Sequence, residues 1–368
     1  MFLTMFSAEL KRTLKNPYSL VLILIVPLVV TTIAIVLFSS FGFLQTKIGI
    51  LNLDTDPLSR LTVGIVMSLF KGGNISYVSE DYRQKLLNGD LQAVVVIPKD
   101  FSRKLYAAQQ TELIFIPSPV DLQVSTVMYR TFQSMFEDLN GSPFFDPQVI
   151  RYLFSSPGYP APKLSALERE KVLNLTSLLI PVTVFLSSAC VLLAIASGSF
   201  QLDEQSKLTE LFLSMNVGKF TYVVSKILAY TSVGLTLSMV ALLILLRFRV
   251  FLITPAMIEL IVLNSLFHAS VGLIISAVSP NTQVSSMLSV VLTVVSFYFS
   301  GSVVPLSSMP THLQSFARNY PLFLAIYSLR KQQLFEFDVT SDIKKMTLLV
   351  VVFVVLSVVA GSSKLRRR

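Results

Sequence analysis

Residues 172–200 read VLNLTSLLIPVTVFLSSACVLLAIASGSF, a run of 29 residues without Asp, Glu, Lys or Arg. A bilayer's hydrocarbon core is about 30 Å thick and a helix rises about 1.5 Å per residue, so roughly 20 apolar residues cross it. Inside lipid every main-chain N–H and C=O needs a partner within the protein. Such a run is therefore read as a helix, and Pro181 as a kink braced by neighbouring helices.

Five further runs approach or pass that length, at 18–41, 221–246, 256–279, 284–304 and 346–362, the last being the shortest. Of the 368 residues 53% are hydrophobic and only 14% charged, far more apolar material than a soluble core requires. The expected fold is a membrane all-α bundle of six transmembrane helices. The one cysteine, Cys190, lies inside an apolar run, which excludes a disulfide framework and a cysteine metal site. The first run follows Lys11, Arg12 and Lys15 as a signal peptide would, but it is longer than a signal's apolar region and lacks a small-residue cleavage site. It reads as a retained anchor.

Basic residues set the expected orientation. Lys11, Arg12 and Lys15 precede the first run, and Lys364, Arg366, Arg367 and Arg368 follow the last, in a basic tail at 363–368. Basic residues mark cytoplasmic ends, so both termini are expected in the cytoplasm of a multi-pass cell-membrane protein, as six spans require. Arg247, Arg249, Lys344 and Lys345 fall on the opposite side and run against this rule. The net charge of +9 then reflects orientation and attraction to anionic lipid, with no aromatic-interleaved basic patch for nucleic acid.

Residues 45–170 differ from the rest, with 12 basic and 13 acidic residues. KIGILNL (47–53), LQAVVVI (91–97) and ELIFI (112–116) read as strands, while 57–70, 81–87 and 120–139 have helical spacing. Alternating strands and helices predict a small inserted α/β domain, extracytoplasmic by the topology above. Two Pro- and Gly-containing stretches, 141–147 and 155–162, read as its connection back to the membrane.

Two expected cytoplasmic segments carry amphipathic patterns. In FLTMFSAELKRTLK (2–15), Leu3, Phe6, Leu10 and Leu14 share one helical face, Lys11, Arg12 and Lys15 lie off it, and Asn16-Pro17 ends the helix. In LDEQSKLTELFLSMNVGK (202–219), Leu208, Leu211, Phe212 and Met215 recur at helical spacing, while Glu204, Lys207 and Glu210 share another face and Gly218 closes the segment. That pattern suits a docking element at a membrane surface. The competing reading is a charged connecting loop.

These segments, taken in order, carry a resemblance. SAELKRTLKNP (7–17), LDEQSKLTELFLSMNVGKF (202–220), FYFSGSVVPLSSMP (297–310), NYPLFLAIYSLRKQQLF (319–335) and the pair DTDPLSR (54–60) with AVVVIPKDFSRKL (93–105) are similar to the permease subunits of type-2 ABC exporters that have a large external domain after the first span. The likeness covers nearly the whole chain. Glu204 and the triplet Leu208, Thr209 and Glu210 occupy the family's places in the cytoplasmic segment, with Ser206 or Lys207 where the family usually has Gly.

The resemblance implies that 203–215 is a coupling helix seated in a cleft of an ATPase subunit, with Asp203, Glu204, Lys207, Leu208, Glu210, Leu211, Phe212 and Met215 as its contact residues. It implies a connecting helix at 1–17 beside that contact, with Glu9, Lys11 and Arg12, and a re-entrant segment at 305–335. It also implies a five-helix region at 172–362 and pairing with a second permease copy or homologue. The chain has no GxxxxGK[ST] loop to cradle phosphates, so ATP and Mg are expected on a separate subunit, with no cofactor here.

Chemistry within the bundle has few candidates. Asn264 and His268 lie one turn apart in the run 256–279 and form a candidate intramembrane polar pair, with hydrogen bonding across helices as the packing alternative. Serines 270 and 276 lack the Gly-rich turn of an activated nucleophile, and two scattered histidines with one cysteine cannot make a zinc site. The resemblance implies as function export driven by ATPase closure against the docking helices. Near-absence of carboxylates within the spans favours a hydrophobic or amphipathic cargo, lipid or drug-like. A structural or receptor-like membrane protein of the same architecture, working without an ATPase, is the alternative.

Overall fold

The computed structural model describes residues 2–40, 47–56, 59–60, 63–64, 74–79, 81–107, 111–139, 163–166, 180–215, 218–246, 253–302, 304–335 and 337–366. Most of the helix expected over 57–70, both stretches at 141–147 and 155–162, residues 172–179 of the second run, and Arg247, Arg249, Arg367 and Arg368 lie outside the described residues. The chain packs as two compact units, one of residues 1–39, 179–304 and 309–368, the other of 40–178 with 305–308.

The first unit is helical. It opens with α1 (Phe2–Lys15) and α2 (Pro17–Ser40), where Pro17 takes a position at which its missing N–H costs nothing and the Asn16 side chain accepts from Tyr18 N at 3.0 Å. After the second unit come a π-helical turn (Val182–Leu186) and then α6 (Ser187–Ala196), α7 (Ser199–Gln205) and α8 (Leu208–Ser214). The long helices α9 (Lys219–Leu246), α10 (Pro255–Val278) and α11 (Thr282–Phe299) follow. Thr254 and Asn281 cap α10 and α11 by accepting from Met257 N and Val284 N, which places both starts within two residues of the apolar runs. Two short helices, α12 (Thr311–Asn319) and α13 (Pro321–Phe335), precede α14 (Thr340–Arg366). The last helix is longer than its apolar run because its polar ends are helical too, Asp342 pairing with Lys331 at 3.0 Å.

Five helical stretches among the described residues are long and apolar enough to cross a membrane: Val182–Gln205, α9, α10, α11 and α14. The pair α1 and α2, bent by 69°, makes a sixth when taken together. The bundle's core joins Met5 of α1, Leu192 and Ala196 of α6, Phe200 of α7, Tyr222, Val223, Ile227 and Tyr230 of α9, Ala269 and Leu273 of α10, and Leu365 of α14. Association in lipid gains little from hydrophobicity, so small residues that admit close approach matter more. At Gly272 an added Cβ would stand 2.7 Å from Ala196 Cβ and 3.2 Å from the Leu192 carbonyl oxygen, which fixes how closely α10 lies on α6.

The second unit is built on a sheet of β1 (Lys47–Asn52), β2 (Asn74–Tyr77), β3 (Ala93–Ile97), β4 (Glu112–Pro117) and β5 (Lys163–Ala166), in the order β2-β1-β3-β4-β5. β1 is parallel to β2 and β3, β3 is antiparallel to β4, and β4 is parallel to β5. Every residue of β3 is buried, as its unbroken AVVVI run requires of a strand covered on both faces. Its described helices are α3 (Tyr82–Asn88), α4 (Phe101–Tyr106) and α5 (Leu122–Leu139). Residues 305–308 pack with this unit, where the buried Asp121 accepts from Leu306 N at 2.8 Å. Burial holds the Asp121 carboxyl above the ordinary carboxylate range.

Replacing Gly272 with Ala forces α6 and α10 apart or strains them, and overpacking of this kind costs about 1–3 kcal/mol. The expected result is a lower thermal unfolding midpoint in detergent. An unchanged midpoint would mean that the helices have room for the methyl group.

Candidate functional site

Where the sequence reading has one helix over 203–215, the structure has two short ones, α7 and α8. Lys207 between them takes φ 55°, the left-handed region that ends a helix. The residues before and after this turn therefore meet different neighbours.

Before it, Asp203 is 1% exposed and lies in a network of charge. Arg12 of α1 donates to Asp203 Oδ1, and the Tyr222 hydroxyl of α9 donates to Asp203 Oδ2. Lys226 of α9, 2% exposed, stands 2.7 Å from Asp203 Oδ2, 2.8 Å from Glu9 Oε1 of α1 and 2.8 Å from Ser199 Oγ. An ammonium has three protons to donate, and each has an oxygen here. The Tyr230 hydroxyl donates to Glu9 Oε1 at 2.7 Å. Two acids and two bases balance, which is how charge persists where water is excluded.

A second set of bonds ties α7 to α10 and α14. The last carbonyls of a helix lack partners within it and attract donors and cations. At the end of α10, Ser276 O accepts from Gln201 Nε2 at 2.8 Å and from Lys364 Nζ at 3.0 Å, and Ser279 O accepts from both at 3.1 Å. Ser276 Oγ accepts from Phe200 N and donates to Gln201 Oε1. Lys364 also lies 3.8 Å from Glu204. Polar bonds thus join α7 to α1, α9, α10 and α14.

After the turn, α8 is held by few side chains. Thr209 is buried, Leu208 half-buried, and Phe212 packs on the Tyr222 ring at 5.4 Å between centroids. Leu211 and Met215, one turn apart, are 52% and 55% exposed, flanked by exposed Lys207 and Glu210. The stripe read from the sequence is thereby divided: Phe212 faces inward, Leu211 and Met215 outward.

α1 has one face turned into the bundle and one turned outward. Leu3 and Leu14 are exposed, Phe6 and Leu10 half-buried, and Met5 and Thr13 buried, while Glu9 and Arg12 turn to α9 and α7 and Lys11 points outward. Asn264 and His268 are buried in α10. Asn264 Nδ2 donates to Phe185 O at 3.1 Å and lies 3.3 Å from Ser188 Oγ, while His268 Nδ1 meets the Asn264 carbonyl oxygen at 2.8 Å. Since a carbonyl accepts only, that ring nitrogen carries the proton.

Sequence reasoning passed over Tyr222, Lys226 and Tyr230, and also Ser199 and Gln201, and weighed Ser276 only as a nucleophile. A signal existed for Lys226, a lone lysine within the apolar run 221–246, where an ionisable side chain needs a partner. No arrangement of three or more His, Cys, Asp or Glu suited to a metal occurs among the described residues.

The sequence model of a protein family described as ABC-2 family transporter protein matches residues 17–360. Comparison with curated proteins and with solved structures finds no match.

Changing Lys226 to Met leaves Glu9 and Asp203 buried with one of their cations gone, and breaking a buried pair from one side costs about 3–5 kcal/mol. Thermal unfolding in detergent should show that loss, with part of it recovered when Glu9→Gln is added. A Lys226→Met variant that melts with the parent would remove the network from the account.

Proposed function

The chain belongs to the ABC-2 family of transporter proteins, and from that premise we propose that it is the permease subunit of an ATP-driven exporter whose ATPase is a separate polypeptide. Membership makes it a multi-pass membrane component of an ABC transporter. The observation that carries the finer reading is the polar hub around α7, continued by α8 with its outward Leu211 and Met215. A segment bonded to four helices on one side and presenting an apolar pair within a charged rim on the other suits a part that receives a push and spreads it.

In this reading Leu211 and Met215 seat in a cleft of the ATPase, Lys207 and Glu210 meet its rim, and Phe212 anchors α8 to Tyr222. ATP and Mg are bound by that partner. Asp203 and Glu204 serve within the permease, the first toward Arg12 and Lys226 and the second toward Lys364. Closure of the ATPases displaces α8, and α7 passes the displacement to α1, α9, α10 and α14. Two permeases, identical or homologous, enclose the pathway. Both termini face the cytoplasm and the sheet unit is an extracytoplasmic α/β domain.

The cargo is hydrophobic or amphipathic. The carboxylates of the five apolar stretches, Asp203, Glu204, Glu259 and Asp342, all fall within five residues of a stretch's end, which leaves the middle of the bundle without an anionic site for a cation.

The test is purification of the tagged chain from its native membrane with mild detergent. A stoichiometric partner with a phosphate-binding loop and ATPase activity is expected. The double change Leu211→Ala with Met215→Ala should weaken its retention by roughly 30-fold, the equivalent of about 2 kcal/mol for a lost apolar anchor, with normal membrane insertion. Absence of any such partner, or retention unaffected by the double change, would return the structural or receptor-like reading to first place.

A further inference from the structure

The helix that ends in α7 contains, directly after the helical Ile180 and Pro181, one π-helical turn, Val182–Leu186. A π turn pairs each N–H with a carbonyl five residues back and appears in helices mostly as a single functional irregularity. Here three consecutive carbonyls receive side-chain donors. Ser187 Oγ donates to Thr183 O. Val184 O accepts from Ser188 Oγ at 2.9 Å and from Ser238 Oγ of α9 at 3.1 Å. Phe185 O accepts from Ser188 Oγ at 3.0 Å and from Asn264 Nδ2 of α10 at 3.1 Å. On the other side, Thr183 Oγ1 lies 3.1 Å from Thr31 Oγ1 of α2.

The bonds from Ser187 and Ser188 are ones that any serine can make to the preceding turn of its own helix, and they select nothing. Those from Ser238 and Asn264 are different. They come from other helices, both residues are almost fully buried, and they reach carbonyls of the π turn. An α turn would rotate these carbonyls away from Ser238 and Asn264 and leave two buried donors unmet, so the two bonds favour the π form over the α form.

A π turn holds one residue more than the α turn it replaces, and one residue is about 100° of rotation and 1.5 Å of rise. If the turn relaxes to α, the helix below it, which carries Ser199, Gln201 and Asp203, rotates or slides by that amount relative to the chain above. We propose that Val182–Leu186 is the hinge of the helix that bears the ATPase-coupling segment, with Ser238 and Asn264 as positioning residues that hold the hinge in its π form until α7 and α8 are displaced. This deepens the coupling reading and rests on it. It gives Asn264 a mechanical role and not one of binding cargo.

The test uses the complex of the full chain with its ATPase in lipid nanodiscs, and amide hydrogen exchange over 182–188 with and without trapping by ATP and vanadate. Trapping should raise exchange at the turn several-fold in the parent. Ser238→Ala and Asn264→Leu should show raised exchange in both states, keep the ATPase bound, and lose roughly tenfold of the permease-dependent ATPase rate, the scale of a coupling change along a mechanical link. Ser238→Thr, which keeps the hydroxyl, should restore the parent's behaviour, and this pair decides the matter if Asn264→Leu fails to fold. Exchange at 182–188 that trapping leaves unchanged, or a Ser238→Ala variant that matches the parent in exchange and rate, would overturn the hinge. Failure of the parent chain to bind any ATPase is a different result: it would overturn the coupling reading, and the hinge's role with it.

Discussion

The Lys226 ammonium, buried among Glu9, Asp203 and Ser199 with all three of its protons engaged, is the interaction on which the arrangement at this end of the bundle depends. A charge without water must be met by protein on every side, and the groups that meet it lie on α1, α7 and α9, residues far apart in the chain. Because Arg12 and Tyr222 complete the shell of Asp203, and Tyr230 that of Glu9, a shift of any one of these helices alone breaks bonds to a buried charge. Burial here supplies specificity of position more than stability, since apolar side chains of similar volume would hold as well.

That constraint explains why α7 and α8 behave differently. α7 is bonded to four neighbours, partly through ions and partly through the carbonyls at the end of α10, which Gln201 and Lys364 satisfy together. α8 leaves the network at Lys207, where the backbone turns left-handed, and among the described side chains Thr209, Leu208 and the Phe212–Tyr222 contact hold it against the bundle. A fixed element followed directly by a presented one is the geometry of a lever with a handle. In the proposed reading the handle is where the ATPase acts, and the give lies above α7, at the π turn.

Much of this was legible in the sequence. Hydropathy located α9 and α10 closely, because the length needed to cross lipid is set by the bilayer, whereas α11 stops short of the end of its run and α14 extends beyond both ends of its own. The strands at 47–53, 91–97 and 112–116 were legible from short apolar runs bounded by Asp, Pro and Gly, and β3 is buried throughout as its run implies. The partners of Glu9 and Arg12 were not legible, because they lie on α7 and α9, about 190 residues or more away in the chain. Lys226 was hidden for a related reason: hydropathy averages a single lysine into its run, and its partners are 23 and 217 residues away. The break at Lys207 follows from no propensity in SKLTEL. It goes with contacts on both sides of the turn, Asp203 taking the Tyr222 hydroxyl and Phe212 the Tyr222 ring.

In the proposed function the surface of α8 is where a separate ATPase delivers its force. Site-specific photocrosslinking tests it directly, with a photoreactive amino acid at Leu211 and, as a control, at Leu348, an exposed position within the apolar α14. In native membranes position 211 should form a crosslink to one polypeptide that carries a phosphate-binding loop, with a yield that changes when ATP and vanadate are added, and position 348 should give none. Crosslinks from 211 to lipid or solvent alone, with no ATPase among the products, would contradict the account.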